Sequence, residues 1–137
     1  MESTSAGRLI GWTLLIALSV ANIAGYAFDL YGQFWWFDRV LHACTTLAGT
    51  LWLALFVFAK GINTEHLSSG LIVLLLASVG IALGALWEVA EWVFDQIAPG
   101  NVIKGKYDTL FDIVMNTGGA VLAGLLTLKL TRPSTRA

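Results

Sequence analysis

Long apolar runs, separated by short polar links, dominate the chain. Four of these runs lie at about residues 9–30, 38–59, 67–97 and 109–130. Each has the roughly 20 mostly apolar residues that a helix needs to cross a bilayer. The third run is longer than a perpendicular span requires, so we expect it to tilt or to protrude. The pattern predicts an all-α polytopic membrane protein, an antiparallel bundle of four transmembrane helices that forms one domain.

The composition supports a membrane protein. Apolar residues make up 57% of the chain and charged residues 12%, whereas soluble domains carry about 25% charged residues. Much of the apolar surface must therefore face lipid. The net charge of −1 gives no basis for a nucleic-acid partner, and none is expected. The single cysteine, Cys44, excludes an internal disulfide and a metal site built from several cysteines.

Lysine and arginine indicate the orientation, because they are enriched on the cytoplasmic side. With four spans, both termini and the middle link share one side of the membrane. That side carries Arg8, Lys60, Lys129, Arg132 and Arg136, and the other side carries Arg39, Lys104 and Lys106. The bias predicts that both termini are cytoplasmic.

Ionisable residues inside the spans are the main anomaly, because each costs roughly 2.5–3.5 kcal/mol on insertion scales. They collect at the ends of helices that an antiparallel bundle brings to one membrane face, the extracytoplasmic face in the orientation above. The four polar sets are Asn22, Tyr26 and Asp29; Asp38, Arg39 and His42; Glu88, Glu91 and Asp95; and Asp108, Asp112 and Asn116. Asp29, Asp95 and Asp108 lie at helix ends, where solvation or capping is the simpler explanation.

Spacing predicts that the deeper polar residues point inward. Asp38 and His42 are four residues apart and so share one helix face. Small residues continue the polar faces of the third and fourth spans, and such residues let helices approach closely. They are Gly80 and Gly84 in the third span, and Gly119, Ala120, Ala123 and Gly124 in the fourth. The polar faces should therefore also be the packing faces.

Carboxylates brought together must be protonated, paired with a cation or bound to a metal. Carboxylate and imidazole ligands suit Mg²⁺, Mn²⁺ or Zn²⁺. We predict a divalent metal ion held by His42, Glu88 and Asp112, with Asp38 or Glu91 completing its shell. Asn116 and Asp108 are expected to support this site, and Asn116 alone could also serve as interhelical glue.

Three stretches resemble the VanZ-like pattern. They are FDRVLHACTTLAGT (Phe37–Thr50), GALWEVAEWVFD (Gly84–Asp95) and YDTLFDIVMNTGGAVLAG (Tyr107–Gly124). The pattern has an aspartate–basic–x–x–histidine helix, a glutamate-bearing helix and an aspartate–x–x–x–asparagine–x–x–glycine helix. The chain is most similar to the YjdF-like branch of small bacterial inner-membrane proteins. The resemblance implies a multi-pass protein of the bacterial cell envelope.

The first functional hypothesis is a metal-assisted enzyme that acts on a membrane lipid or a lipid-linked envelope substrate. A metal would activate water or polarise a phosphate or carbonyl oxygen. Glu91 would act as general base and Arg39 would hold an anionic head group.

Two other hypotheses stay open, so the sequence does not decide whether the protein is an enzyme. One is an ion or proton carrier, since intramembrane carboxylates are common relay groups. The inner halves of the spans supply few polar groups, and a path between subunits would require a homo-oligomer. The other is a non-catalytic binder of a lipid head group or of a membrane-protein partner.

Overall fold

The computed structural model describes residues 2–61, 66–98 and 102–132. The helices are α1 (Ser5–Ala27), α2 (Leu30–Gln33), α3 (Phe37–Leu53), α4 (Ala59–Gly61), α5 (Ser69–Ile97) and α6 (Lys106–Leu130). A π-helical turn, Ala54–Phe58, joins α3 to α4, so the second span runs without a break from Phe37 to Gly61. Two-residue strands, β1 (Glu2–Ser3) and β2 (Thr131–Arg132), pair antiparallel.

Four helical stretches are long and apolar enough to cross a membrane: Ser5–Ala27, Phe37–Gly61, Ser69–Ile97 and Lys106–Leu130. The prediction of an all-α membrane bundle is therefore confirmed. The orientation of the termini stays a prediction. One of the basic residues on which it rests, Arg136, lies outside the described part of the chain.

The first helix differs most from its predicted bounds. It begins at Ser5 rather than near Leu9, because the Thr4 hydroxyl accepts a hydrogen bond from the Gly7 amide at 3.0 Å and caps the helix. It ends at Ala27 rather than near Leu30, because Asp29 adopts a left-handed backbone conformation with φ of 53°. The hydropathy pattern does not contain either signal.

The helices pack with α6 between α3 and α5, and with α1 on the outer side of α3. Leu51, Leu55 and Ala123 form a fully buried core, with Leu14 and Leu126 packed against it. This apolar core lies in the half of the bundle away from the polar residues. Its composition explains why this half of the bundle contains few groups that could relay an ion.

Small residues allow the three inner helices to approach closely, as the sequence predicts. A Cβ atom on Gly119 would collide with the backbone carbonyl of Ala43 in α3. A Cβ on Gly84 of α5 would lie 2.7 Å from the Cβ of Asn116 in α6. These two contacts hold α6 closely against α3 and against α5, next to the buried Asn116.

Candidate metal centre and adjoining cavity

His42 lies at the centre of the polar cluster and is 7% exposed. Its Nδ1 atom is 3.5 Å from Glu88 Oε1. Its Nε2 atom is 3.5 Å from Asp38 Oδ1 and 3.9 Å from Glu91 Oε1. One imidazole therefore has carboxylates on both sides, one from its own helix and two from α5.

Two overlapping groups of side chains could hold a metal ion. One consists of Asp38, His42 and Asp112, and the other consists of His42, Glu88 and Glu91. Within each group, one ligand atom per residue lies within 4.8 Å of the others. The structure thus places the other predicted metal ligands and the predicted general base around His42, with Glu88 and Asp112 in different groups. Their chemical roles stay predictions.

The imidazole–carboxylate distances are too long for direct hydrogen bonds and fall in the range of ion pairs. An N–H···O hydrogen bond spans about 2.7–3.2 Å, and the imidazole–carboxylate separations of 3.5 to 3.9 Å exceed that range. Ligand atoms that each lie about 2.0–2.2 Å from one zinc ion can be up to roughly 4 Å apart. The observed separations therefore fit a set of donors around an ion.

Two buried carboxylate oxygens in the cluster accept no hydrogen bond from the described residues, although one of them, Glu88 Oε1, faces His42 Nδ1 at 3.5 Å. Glu88 is 6% exposed and Asp112 is 2% exposed. Glu88 Oε1 and Asp112 Oδ1 have no hydrogen-bond donor among the described residues. An unsatisfied buried charged group costs more than the roughly 1–3 kcal/mol of a neutral one. Protonation, pairing with His42 or a bound cation would each lower this cost.

Arg39 and Asp108 form a pair beside the cluster. Arg39 Nη2 lies 3.5 Å from Asp108 Oδ1, and the guanidinium also donates to the backbone carbonyl of Trp35. The guanidinium packs over the rings of Trp35 and Phe111, at 5.6 and 5.4 Å from their centroids. Asp108 additionally accepts from the Lys104 amide at 3.2 Å, as a capping residue would. The predicted contact of Arg39 with a head group stays a prediction.

Asp95 has the structural role that its position at a helix end predicts. Its carboxylate accepts from the amides of Val102 and Ile103, at 2.8 and 2.9 Å. These bonds connect the end of α5 to the chain that leads into α6. Asp95 therefore holds the link in place and is no part of either ligand group.

A cavity of about 460 Å³ adjoins the cluster. It lies between α1, α3 and α5, and residues of α2, α6 and the link before α6 complete its wall. Asp38, His42 and Glu91 line it, whereas Glu88 and Asp112 are not among its described lining residues. The other ionisable or aromatic residues of the wall are Tyr26, Asp29, Tyr31, Trp87 and Lys104. The cluster is therefore accessible from the cavity through three of its five members.

Sequence reasoning missed two residues that hold the site in place. Trp87 Nε1 donates to Glu91 Oε1 at 2.7 Å, and Thr46 Oγ1 donates to Asn116 Oδ1 at 2.6 Å. The four-residue spacing of Trp87 and Glu91 could have revealed the first contact. The second joins α3 to α6 and has no local signal in the sequence.

Tyr31, in the short α2 helix, was also missed as a wall residue. Burial, reinforced by the nearby Tyr26 and by Asp38 and Glu91, raises the pKa of the Tyr31 phenol above its usual range. The side chain therefore keeps its proton and contributes a neutral aromatic ring to the cavity.

The Thr46–Asn116 bond gives a first testable prediction. Thr46→Val should reduce the free energy of unfolding by about 1 kcal/mol, since it leaves both polar atoms of the buried Asn116 amide without a partner. Unfolding in mixed detergent micelles measures the change. Thr45→Val is the matched control, because Thr45 is exposed and makes no side-chain hydrogen bond within the described residues. Equal effects of the two variants would contradict a structural role for the bond.

The chain is similar to a known relative and matches a described protein family. The chain is similar to a protein of Thermotoga maritima described as uncharacterized, with 25% identity over 99 residues. The match covers 72% of this chain and 50% of the relative, so the chain spans about half the length of the curated relative it matches. No solved structure matches the chain. The family described as Predicted membrane protein (DUF2238) matches residues 4–132, nearly the whole sequence, and the protein therefore belongs to that family.

Proposed function

We propose that this protein is a metal-dependent enzyme of the bacterial cytoplasmic membrane that acts on the polar head of a lipid or lipid-linked envelope substrate. One observation carries the proposal. Buried carboxylate oxygens of Glu88 and Asp112, which accept no hydrogen bond from the described residues, lie in the ligand groups that surround His42. The adjoining cavity of about 460 Å³ offers space for a head group.

Charge supports a divalent cation in this cluster. His42 is flanked by Asp38, Glu88 and Glu91, and Asp112 joins Asp38 and His42 in the first ligand group. Four carboxylates around one imidazole cannot all ionise at low dielectric without added positive charge. Arg39, the basic residue nearest to His42 in the sequence, is paired with Asp108. A mixed set of carboxylates and one imidazole suits Mg²⁺, Mn²⁺ or Zn²⁺.

Glu91 is the residue best placed to move a proton. It lines the cavity, and the Trp87 indole holds one of its oxygens by a 2.7 Å hydrogen bond. Its carboxylate therefore has a fixed position between the cavity and His42, as a general base requires. A divalent cation bound beside it would supply an activated water molecule or polarise a phosphoryl or carbonyl oxygen.

A non-catalytic lipid binder is the second candidate, and the cavity itself favours it. An experiment on purified protein separates the two functions. Incubation with a total lipid extract and Mn²⁺ or Zn²⁺, followed by mass spectrometry, should reveal a lipid species that changes with time. Chelator and Glu91→Gln should both abolish the change. Unchanged lipids in a sample that holds a metal ion would contradict catalysis and leave a binder.

The proposal also covers the wider relationships of the family and the oligomeric state of the protein. We propose that the family is related to VanZ-like proteins through its YjdF-like branch. The support is the order and spacing of Asp38, His42, Glu88, Asp112 and Asn116.

A homo-oligomer is compatible with the large apolar residues that α1 exposes, among them Leu9, Ile16 and Ile23.

The orientation gives a second testable prediction. Both termini are expected in the cytoplasm, because five basic residues lie on that side against three on the other. A green fluorescent protein fused after Ala137 should be fluorescent, and alkaline phosphatase fused there should be inactive. A phosphatase inserted after Gln33, on the opposite side, should be active. The reverse pattern would overturn the orientation and place the cavity at the cytoplasmic face.

A further inference from the structure

We infer that the cavity binds an amphiphile whose head group carries a positively charged nitrogen next to an oxygen acceptor, as in an amine-bearing phospholipid. The inference rests on the proposed function in one respect, since it names the class of substrate for that same site. The charge, the aromatic residues and the buried amide of the cavity wall support this assignment of the ligand.

Charge on the wall favours a cation. Asp29, Asp38 and Glu91 line the cavity, and Lys104 is the one lysine or arginine among its described lining residues. In either ligand group, one buried carboxylate and one wall carboxylate would offset the charge of a divalent ion, which leaves Asp29 and the other wall carboxylate against Lys104. The wall therefore keeps an excess of negative charge even with the metal in place. A positively charged group is the ligand that this excess attracts.

Aromatic rings surround the same space. The ring centroids of Tyr26 and Tyr31 lie 4.8 Å apart with an interplanar angle of 42°, and both residues line the cavity. Trp87 contributes a third ring from α5, and its hydrogen bond to Glu91 fixes its position. Aromatic faces grouped in this way are the usual means of binding substituted ammonium groups through cation–π attraction.

A buried amide indicates that the ligand also carries an oxygen acceptor. Asn116 lines the cavity and is 2% exposed. Its Oδ1 accepts from Thr46, whereas its Nδ2 has no acceptor among the described residues. An oxygen atom of a ligand or of a water molecule in the cavity would satisfy this buried donor. Phosphate and ester oxygens next to an ammonium group are features of zwitterionic phospholipids.

The packing of the helices gives such a lipid a lateral way in. The cavity lies between α1 and α5. Within the described residues, α1 packs on α3 and makes no comparable contact with α5. Both helices expose large apolar side chains to the bilayer, among them Ile23 of α1 and Leu86 of α5. A lipid could therefore place its head group in the cavity while its acyl chains remain in the bilayer.

Titration of the purified full-length protein in maltoside detergent tests the inference. The two probes are a short-chain phosphatidylethanolamine and the phosphatidylglycerol with the same acyl chains, which lacks the amine. The amine lipid should bind about tenfold more tightly, as one or two cation–π contacts would give. Tyr26→Leu and Asp29→Asn should each reduce that preference. Tyr107→Leu is the matched control, because Tyr107 is similarly exposed, at 71% against 67% for Tyr26, and does not line the cavity.

Elemental analysis of the same samples distinguishes the two proposals. Equal affinity for the two lipids, or binding of neither, in protein that holds a metal ion would overturn the amine assignment and leave the metal centre intact. A preference for the amine lipid in protein that holds no metal would support the assignment and overturn the metal centre. A preference that Tyr26→Leu and Asp29→Asn both leave unchanged would place the nitrogen outside this cavity and overturn the inference.

Discussion

The His42→Gln variant is expected to lose the thermal stabilisation that Mn²⁺ or Zn²⁺ gives to the wild-type protein. His42 belongs to both ligand groups, and its two ring nitrogens face carboxylates on opposite sides. Glutamine has a comparable length but lacks the imidazole nitrogens that bind a metal. The variant therefore removes the one ligand that both groups share, while leaving all four carboxylates in place.

The size of the effect follows from mass action. A metal present at 100 times its dissociation constant stabilises the folded state by about 2.7 kcal/mol. For a domain of this size that corresponds to a shift in melting temperature on the order of 10 °C. Wild-type protein should lose this stabilisation on addition of chelator and regain it with excess metal. His42→Gln should melt at the same temperature under both conditions.

The second histidine provides the control for this measurement. His66 is exposed at the beginning of the chain that leads into α5, away from every ligand group. His66→Gln should respond to chelator as the wild type does. A chelator response that persists in His42→Gln would show that the metal binds elsewhere. That result would contradict the assignment of the centre.

Gly119→Ala should reduce the free energy of unfolding by about 2–3 kcal/mol, although alanine normally favours a helix. The reason is that its Cβ would collide with the Ala43 carbonyl of α3. Relief of the collision requires α3 and α6 to move apart. Ala43 directly follows His42, so the same movement would separate His42 from Asp112 and weaken the proposed metal site.

The adjacent Gly118 provides a matched control, for which we expect no decrease in the free energy of unfolding. A Cβ on Gly118 would meet nothing within 4 Å, so Gly118→Ala should be neutral or should stabilise by up to about 1 kcal/mol. Unfolding in mixed detergent micelles, followed by tryptophan fluorescence, compares the two variants. Equal stabilities would contradict the close approach of α3 and α6 at this point.

Much of the site follows from periodicity within single helices. Runs of about 20 apolar residues predict four membrane-spanning helices, and their alternating direction brings one end of each helix to the same face. Asp38 and His42 share a face because they are four residues apart, and Gly84 and Glu88 do so for the same reason. The convergence of His42, Glu88 and Asp112 is therefore predictable from the sequence alone.

Features that depend on contact between helices were not predictable. The bond from Thr46 to Asn116 requires the rotation of α3 relative to α6, which no local pattern encodes. The pairing of Arg39 with Asp108 has the same cause, and it turns the guanidinium toward a partner that single-helix reasoning had not assigned to it. The cavity also depends on how α1 lies against α3. Tertiary packing decides these details, whereas hydropathy decides only which segments become helices.

Metal content of the detergent-purified protein, with wild type measured beside Glu88→Gln, tests the central claim most directly. The metal centre predicts close to one divalent ion per wild-type chain and a clear loss in Glu88→Gln, whose side chain cannot offer a carboxylate next to His42 Nδ1. Asp108→Asn should retain the ion, because Asp108 pairs with Arg39 and belongs to neither ligand group. Wild-type protein without stoichiometric metal, even after incubation with Mn²⁺, Zn²⁺ or Mg²⁺, would contradict the account and leave His42 as the centre of a structural ion network.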